Sequence, residues 1–242
     1  MNKLRQYVFF TAVISVLVLV FASCGYSNGY SVEGTTVCSE TNCTESNSAR
    51  QINDVTEPEV CYKPVIYLYP EKVTELTVKL GKPENLICTY PDYSKGWNVT
   101  ANPNGIMTDN NTGRKLYSLY WESINDKDNY GTDGFVVKES DSVAFLEEKL
   151  SALGLNEFES EEFIIYWLPR LQSNEYNFIR FATAEEINEI MPLEFSVTPD
   201  TIIRILMQYK PLDSKIEVEE QILETPERNG FVAVEWGGMR LV

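Results

Sequence analysis

The sequence predicts an α+β fold, a mostly antiparallel β-sheet or two-sheet core with two to three helices inserted in the second half. Three observations carry this. Between Cys61 and Glu122, short apolar runs, one of them alternating with period two, are separated by turn-forming residues. Between Asp141 and Glu186 the apolar spacing lengthens to three and four residues, as on a helix face. From Asn177 to Trp236 the β-branched and aromatic runs return. Strands, then helices, then strands again fit helices packed on one face of such a core.

Taken in order, residues 65–69 read as the first strand, largely buried, because Pro64 and Pro70 close an apolar run at both ends. Tyr67 and Tyr69 share one face of it with Val65, and Ile66 and Leu68 share the other. Residues 75–80 alternate and read as a half-exposed strand that ends at Gly81-Lys82-Pro83. Further strands follow at 86–90, 97–101 and 106–108, with turn chemistry at 102–105 and 109–113. Residues 115–122 are the last strong strand of this first half, which reads as a meander.

Asp141 is placed to cap a helix carrying Val143, Leu146 and Leu150, with Gly154 as its stop. A second helix starts near Glu157 or Ser160 and carries Phe163, Ile164, Trp167 and Leu168, with Pro169 kinking or ending it. Thr183 caps a third, short one. Strands are expected at 177–181, 193–197, 201–210, 215–219 and 230–236.

The N-terminus has a different character. Lys3 and Arg5 precede an uncharged apolar run of about fifteen residues, short of the ~20 that span a bilayer, and Phe21-Ala22-Ser23-Cys24 follows. These residues resemble the lipobox of bacterial lipoproteins, with Phe21 where that motif most often has Leu. The resemblance implies a signal peptide over 1–23, cleavage before Cys24, and palmitate or related acyl chains on that cysteine. Two or more chains hold a protein on a membrane where one does not. The alternatives are an ordinary signal peptide with an incidental cysteine, or an uncleaved anchor. Gly25 follows the cysteine, so there is no Asp at that position to argue for inner-membrane retention, and the cell membrane and the outer membrane both stay open.

Residues 24–60 are rich in Ser, Thr, Asn, Gly and Glu and form the expected tether, with a reach on the order of 30 Å. Residues 61–242 remain for a single globular domain with its own core. Lys3 and Arg5 fall in the leader, so the chain from Cys24 carries 18 Lys plus Arg against 36 Asp plus Glu, a formal charge of −18. That balance argues against nucleic acid as a partner and against electrostatic docking on anionic lipid. The partners left are the membrane, through the lipid, and an envelope protein or a glycan.

With Cys24 assigned to lipid, Cys38, Cys43, Cys61 and Cys88 remain, an even number that allows three connectivities in an oxidising compartment. Cys61 with Cys88 and Cys38 with Cys43 is the expected pairing. A zinc site would need all four thiolates, and no Cys-x-x-Cys pair is present, so no metal and no cofactor are expected. The chain has no histidine. Ser-His-Asp and Cys-His catalysis are therefore excluded, and any enzyme here works with carboxylates, Lys, Tyr, Ser or Cys.

Four stretches of the sequence carry candidate chemistry. Glu122 beside Trp121 and Glu235 beside Trp236 offer two carboxylates in aromatic company, the equipment of glycoside cleavage, against the reading that these tryptophans edge the core. Residues 126–133 resemble a calcium loop but have Tyr130 fifth and Val137 at the twelfth place, which a bidentate Glu would occupy. Tyr67 and Tyr69 form either an exposed platform for sugar or peptide or part of the core. Arg204, inside an apolar run, faces outward or pairs with a carboxylate, Glu122 or Glu235.

Several spaced motifs carry a wider resemblance: Cys61 to Lys72, Tyr90-Pro91-Asp92-Tyr93, Leu119-Tyr120-Trp121-Glu122, Tyr166-Trp167-Leu168-Pro169, Pro226-Glu227-Arg228-Asn229-Gly230-Phe231 and Glu235-Trp236-Gly237-Gly238. Together they resemble a family of exported proteins without an assigned activity. The resemblance implies one intact domain and transfers no chemistry. The expectation is a membrane-anchored cell-envelope lipoprotein with a non-catalytic binding or structural domain. Its alternative is a carboxylate-dependent hydrolase of cell-wall or extracellular glycans.

Overall fold

The computed structural model describes residues 59–125 and 130–241, and all structural statements concern these. The first half contributes β1 (Glu59–Tyr69), β2 (Thr74–Leu80), β3 (Leu86–Tyr90), β4 (Trp97–Ala101), β5 (Met107–Asp109), β6 (Lys115–Leu116) and β7 (Leu119–Asn125). The second contributes β8 (Phe135–Lys138), α1 (Ser142–Ala152), α2 (Glu157–Leu171), β9 (Tyr176–Phe181), α3 (Ala184–Ile190), β10 (Leu193–Phe195), β11 (Thr201–Leu212) and β12 (Val232–Arg240).

The strands form two sheets, one ordered β3-β7-β1-β12-β11-β9-β8 and the other β10-β2-β4-β5-β6. Only β11 and β12 pair in parallel; the remaining strand pairs are antiparallel. The class is α+β, as the sequence predicts. One face of the larger sheet, through Ile66, Leu68 and Trp121, shares a core with Val78, Trp97 and Val99 of the smaller sheet. Its other face, through Val65, Val234 and Trp236, packs against Leu146 of α1 and Phe163 and Trp167 of α2. Alternation along each strand sends successive side chains to these two different cores.

Several boundaries differ from expectation. β1 begins upstream of residue 65 and passes through a bulge at Lys63, whose φ is +60°, so that its register shifts against both neighbours. The run 115–122 breaks at Tyr117 and Ser118, placing β6 in the small sheet and β7 in the large one. Residues 215–219 form no ladder; that segment meets the sheet through one bridge, Glu220 to Gly134. Asp141 makes no side-chain cap, because a 3-10 turn over Glu139–Asp141 already holds it in helical backbone. Pro169 stays inside α2 and does not end it.

The expected Cys61–Cys88 disulfide is not present. Both thiols are free, one buried and the other exposed. Cys61 lies opposite Ser123 and Cys88 opposite Glu122, with β7 between their strands. Two strand spacings are roughly 10 Å, beyond the ~7 Å that a disulfide bridges between Cα atoms, and the two side chains leave opposite faces. Cys38 and Cys43 lie outside the described residues, as does Cys24.

Candidate functional site

The two carboxylates singled out from the sequence do not meet. Trp121 and Glu122 are successive residues of β7, so they leave opposite faces of the sheet. Glu235 goes with Trp121. Its Oε1 accepts from Trp121 Nε1 at 2.9 Å, and its Oε2 takes Arg204 Nε at 2.7 Å and Nη2 at 2.6 Å. Arg204 and Glu235 are each 4 % exposed at the side chain, and the same guanidinium reaches Asn188 Oδ1 and the Met191 carbonyl at the end of α3. Glu235 is thus a neutralised group between the sheets. As the partner of Glu122 in glycoside cleavage it is excluded, because the sheet itself separates the two.

Glu122 belongs to a cluster on the helix side. Positive φ at Lys63 turns the β1 backbone so that its N–H donates to Glu122 Oε1 at 3.1 Å. The Lys63 ammonium lies over the rings of Tyr120 and Trp236, 5.8 and 5.7 Å from their centroids, and reaches Glu162 of α2 at 3.3 Å. Glu162 also accepts from Tyr67 at 2.5 Å and from Tyr117 at 3.2 Å. Burial, and after it the bond to Glu122, raises the Tyr120 hydroxyl above its ordinary pKa; burial and then Glu162 do the same for Tyr67.

One turn earlier on α2 the arrangement repeats. Glu159, 1 % exposed, takes both Nη atoms of Arg228, at 2.9 and 3.1 Å, and Arg228 stands over the Tyr69 ring at 5.2 Å. Burial first, and then the charge of Glu159, raises the Tyr69 pKa. Glu159 and Glu162 are three apart on a helix, a rise of about 4.5 Å, and Tyr67 and Tyr69 are two apart on a strand, about 6.6 Å, so the two rows run nearly in step. The tyrosine rings stack 6.5 Å apart, with Tyr117 6.4 Å beyond Tyr67.

Tyr67 is therefore buried, with its hydroxyl holding Glu162 of α2 to β1, and Tyr69 is half-buried under Arg228. They are not an exposed platform. Trp236 is fully buried against Phe163, at 5.2 Å edge to face, and Trp121 is 2 % exposed between the sheets. Of the acidic loop, residues 126–129 lie outside the described residues, and Asp133 faces Arg180 at 3.7 Å. Among the described residues no three Cys, Asp or Glu side chains could hold a metal ion.

Lys63, Glu159, Glu162 and Arg228 were not foreseen. Glu159 and Glu162 could have been found from the helix period, which sets both beside the buried Phe163 and Trp167. Lys63 could not, since its placement depends on a bulge that no residue type announces. No protein-family model, curated protein or solved structure matches the chain.

Proposed function

We propose that the chain is a lipid-anchored protein of the cell envelope whose α+β domain acts as a non-catalytic binding or structural module. The support for the anchor is the sequence Phe21-Ala22-Ser23-Cys24 after a short apolar run, and a polar tether behind it. One observation carries the reading of the domain. The carboxylates nearest a reactive arrangement each answer a cation in a framework contact: Glu235 with Arg204, Glu159 with Arg228, Glu162 with Lys63. The hydrolytic alternative has lost the pair that defined it. Electrostatics favours the lipid over the protein surface as the anchor, because a formal charge of −16 for the whole chain repels anionic headgroups.

Alkyne-palmitate labelling of cells expressing the full chain tests the anchor. Label is expected on the wild type, with membrane retention, and its loss together with release is expected for Cys24→Ala. Label retained in that variant, or wild type found free of membranes, overturns the reading.

A further inference from the structure

We propose that the open edge of β8 is a binding site for an extended polypeptide segment, which adds to the larger sheet as a further strand. This deepens the reading of the domain as a binding module and rests on it.

The backbone directions decide which groups are open. At the far end of β8, Glu139 N–H donates to the Glu175 carbonyl on the β9 side, whereas Gly134 N–H points away from β9 and donates to Glu219 O at 2.8 Å. Successive residues of a strand turn their N–H and C=O to alternate edges. Val136 and Lys138 therefore face the same way as Gly134. The Lys138 carbonyl accepts from Ser142 Oγ at 3.4 Å. Among the described residues, Val136 N–H and C=O and Lys138 N–H meet no hydrogen-bonding partner on that side.

Room exists beside these groups. A cavity of about 510 Å³ is lined by residues 134–138 without a break, by α1 and by residues 215–218 and 220. That volume lies within the range of roughly 300–1,000 Å³ found for ligand sites. Its outer wall is the segment that leaves β11 at Leu212, whose partner Tyr176 sits opposite Lys138, and regains the sheet at Gly134. The wall therefore passes the whole length of β8, about 13 Å, and bonds to its backbone only at the start. That single bridge blocks the slot at one end and fixes where an added strand must stop.

The lining specifies the ligand's chemistry. Phe135 and Phe145 meet edge to face at 5.2 Å, with Lys149 over Phe135 at 4.8 Å, so every second side chain of an added strand meets an apolar wall. Three lysines, Lys138, Lys149 and Lys215, stand against four carboxylates, so the slot lacks the strong negative field of the rest of the chain. An uncharged segment with alternating apolar residues suits it, held by main-chain bonds and selected by alternate side chains.

The test uses the full-length chain in detergent and a random eight-residue peptide library displayed on phage. Selected peptides are expected to alternate apolar with polar residues. When synthesised, they should slow amide exchange at Val136 and Lys138. N-methylation of alternate residues in the peptide should weaken binding tenfold or more, and so should Val136→Pro. The proline removes a donor that β9 does not use, and edge strands tolerate it; unchanged thermal melting checks that the variant is folded. Four results overturn the proposal: no enrichment, binding indifferent to both changes, Val136 already protected without peptide, or a dimer that Val136→Pro dissolves, which would mean self-pairing. Palmitate labelling of the same preparation separates the two readings, since a protein that binds peptide but carries no lipid sinks the anchor alone.

Discussion

Arg204 and Glu235 bear more on this core than any other single pair. Three further groups, Trp121 Nε1 of β7, Asn188 Oδ1 of α3 and the Met191 carbonyl after it, converge on the guanidinium and its carboxylate, and both side chains are removed from water. A paired buried charge costs little net, but an orphaned one costs several kcal/mol. Arg204→Met is therefore expected to destabilise the protein by about 3–5 kcal/mol, while Arg204→Met with Glu235→Leu recovers a large part of that loss. Urea unfolding of the two variants checks this, and a double variant no more stable than the single one would refute it. An arginine amid Ile202, Ile203, Ile205 and Leu206 either faces outward or pairs with a carboxylate, and the sequence offers Glu122 or Glu235 for the second case. What settles it is which face each carboxylate leaves, a consequence of strand pairing that residue types do not encode.

At the scale of elements, α2 shows how a cap and a tertiary contact share one residue. Asn156 accepts from Glu159 N–H at 3.0 Å while the Glu159 carboxylate accepts from Asn156 N–H at 2.8 Å, a complete capping box. The same carboxylate holds Arg228, from the segment leading into β12. Gly154, at φ +89° with Pro226 and Ile203 close to where a Cβ would sit, sets the turn that brings Asn156 into place. Asn156→Ala removes one capping acceptor and is expected to cost about 1 kcal/mol. Arg228→Met leaves Glu159 buried and unpaired, and is expected to cost about 3 kcal/mol or more. Denaturant midpoints for the pair check the order; equal losses would show that Arg228 is dispensable to Glu159. Thr183 caps α3 through Glu186, as expected, whereas the cap of α2 falls on Asn156, a residue the expected start near Glu157 or Ser160 did not include. The strand expected at 215–219 fails because an alternating segment becomes a strand only beside a partner, and the edge of β8 meets it at Gly134 alone.

For the whole molecule, periodicity gave the class and most element positions, while the division of strands between two sheets stayed hidden. Period two states which residues share a face and is silent on which strand lies alongside; β2 follows β1 in sequence yet pairs with β4 and β10. One consequence of enclosing so many weak acids in this two-core architecture is measurable. Burial, and then the charge of Glu235, lifts Cys61 from an ordinary 9.0 to about 12, and Tyr67 and Tyr69 are held above their ordinary 10.0 by burial and by Glu162 and Glu159. Each group keeps its proton in the folded chain at a pH where the unfolded chain has released it. The folded state then binds more protons, so this stabilisation is complete below the unfolded pKa and declines as pH rises towards the folded one. The limit is about 1.4 kcal/mol per pH unit for each group, so Cys61 alone accounts for a loss on the order of 4 kcal/mol between its two values. The urea midpoint is expected to show no loss from these groups below about pH 9, to fall above it, and to fall more steeply once the tyrosines join near pH 10. Cys61→Ala lowers the plateau through the cavity it leaves but flattens the first part of the decline, whereas Tyr67→Phe spares that part and softens the second. A wild-type midpoint unchanged up to about pH 11 would mean that these groups titrate alike in both states, and that water reaches Cys61 and Tyr67 in the folded protein.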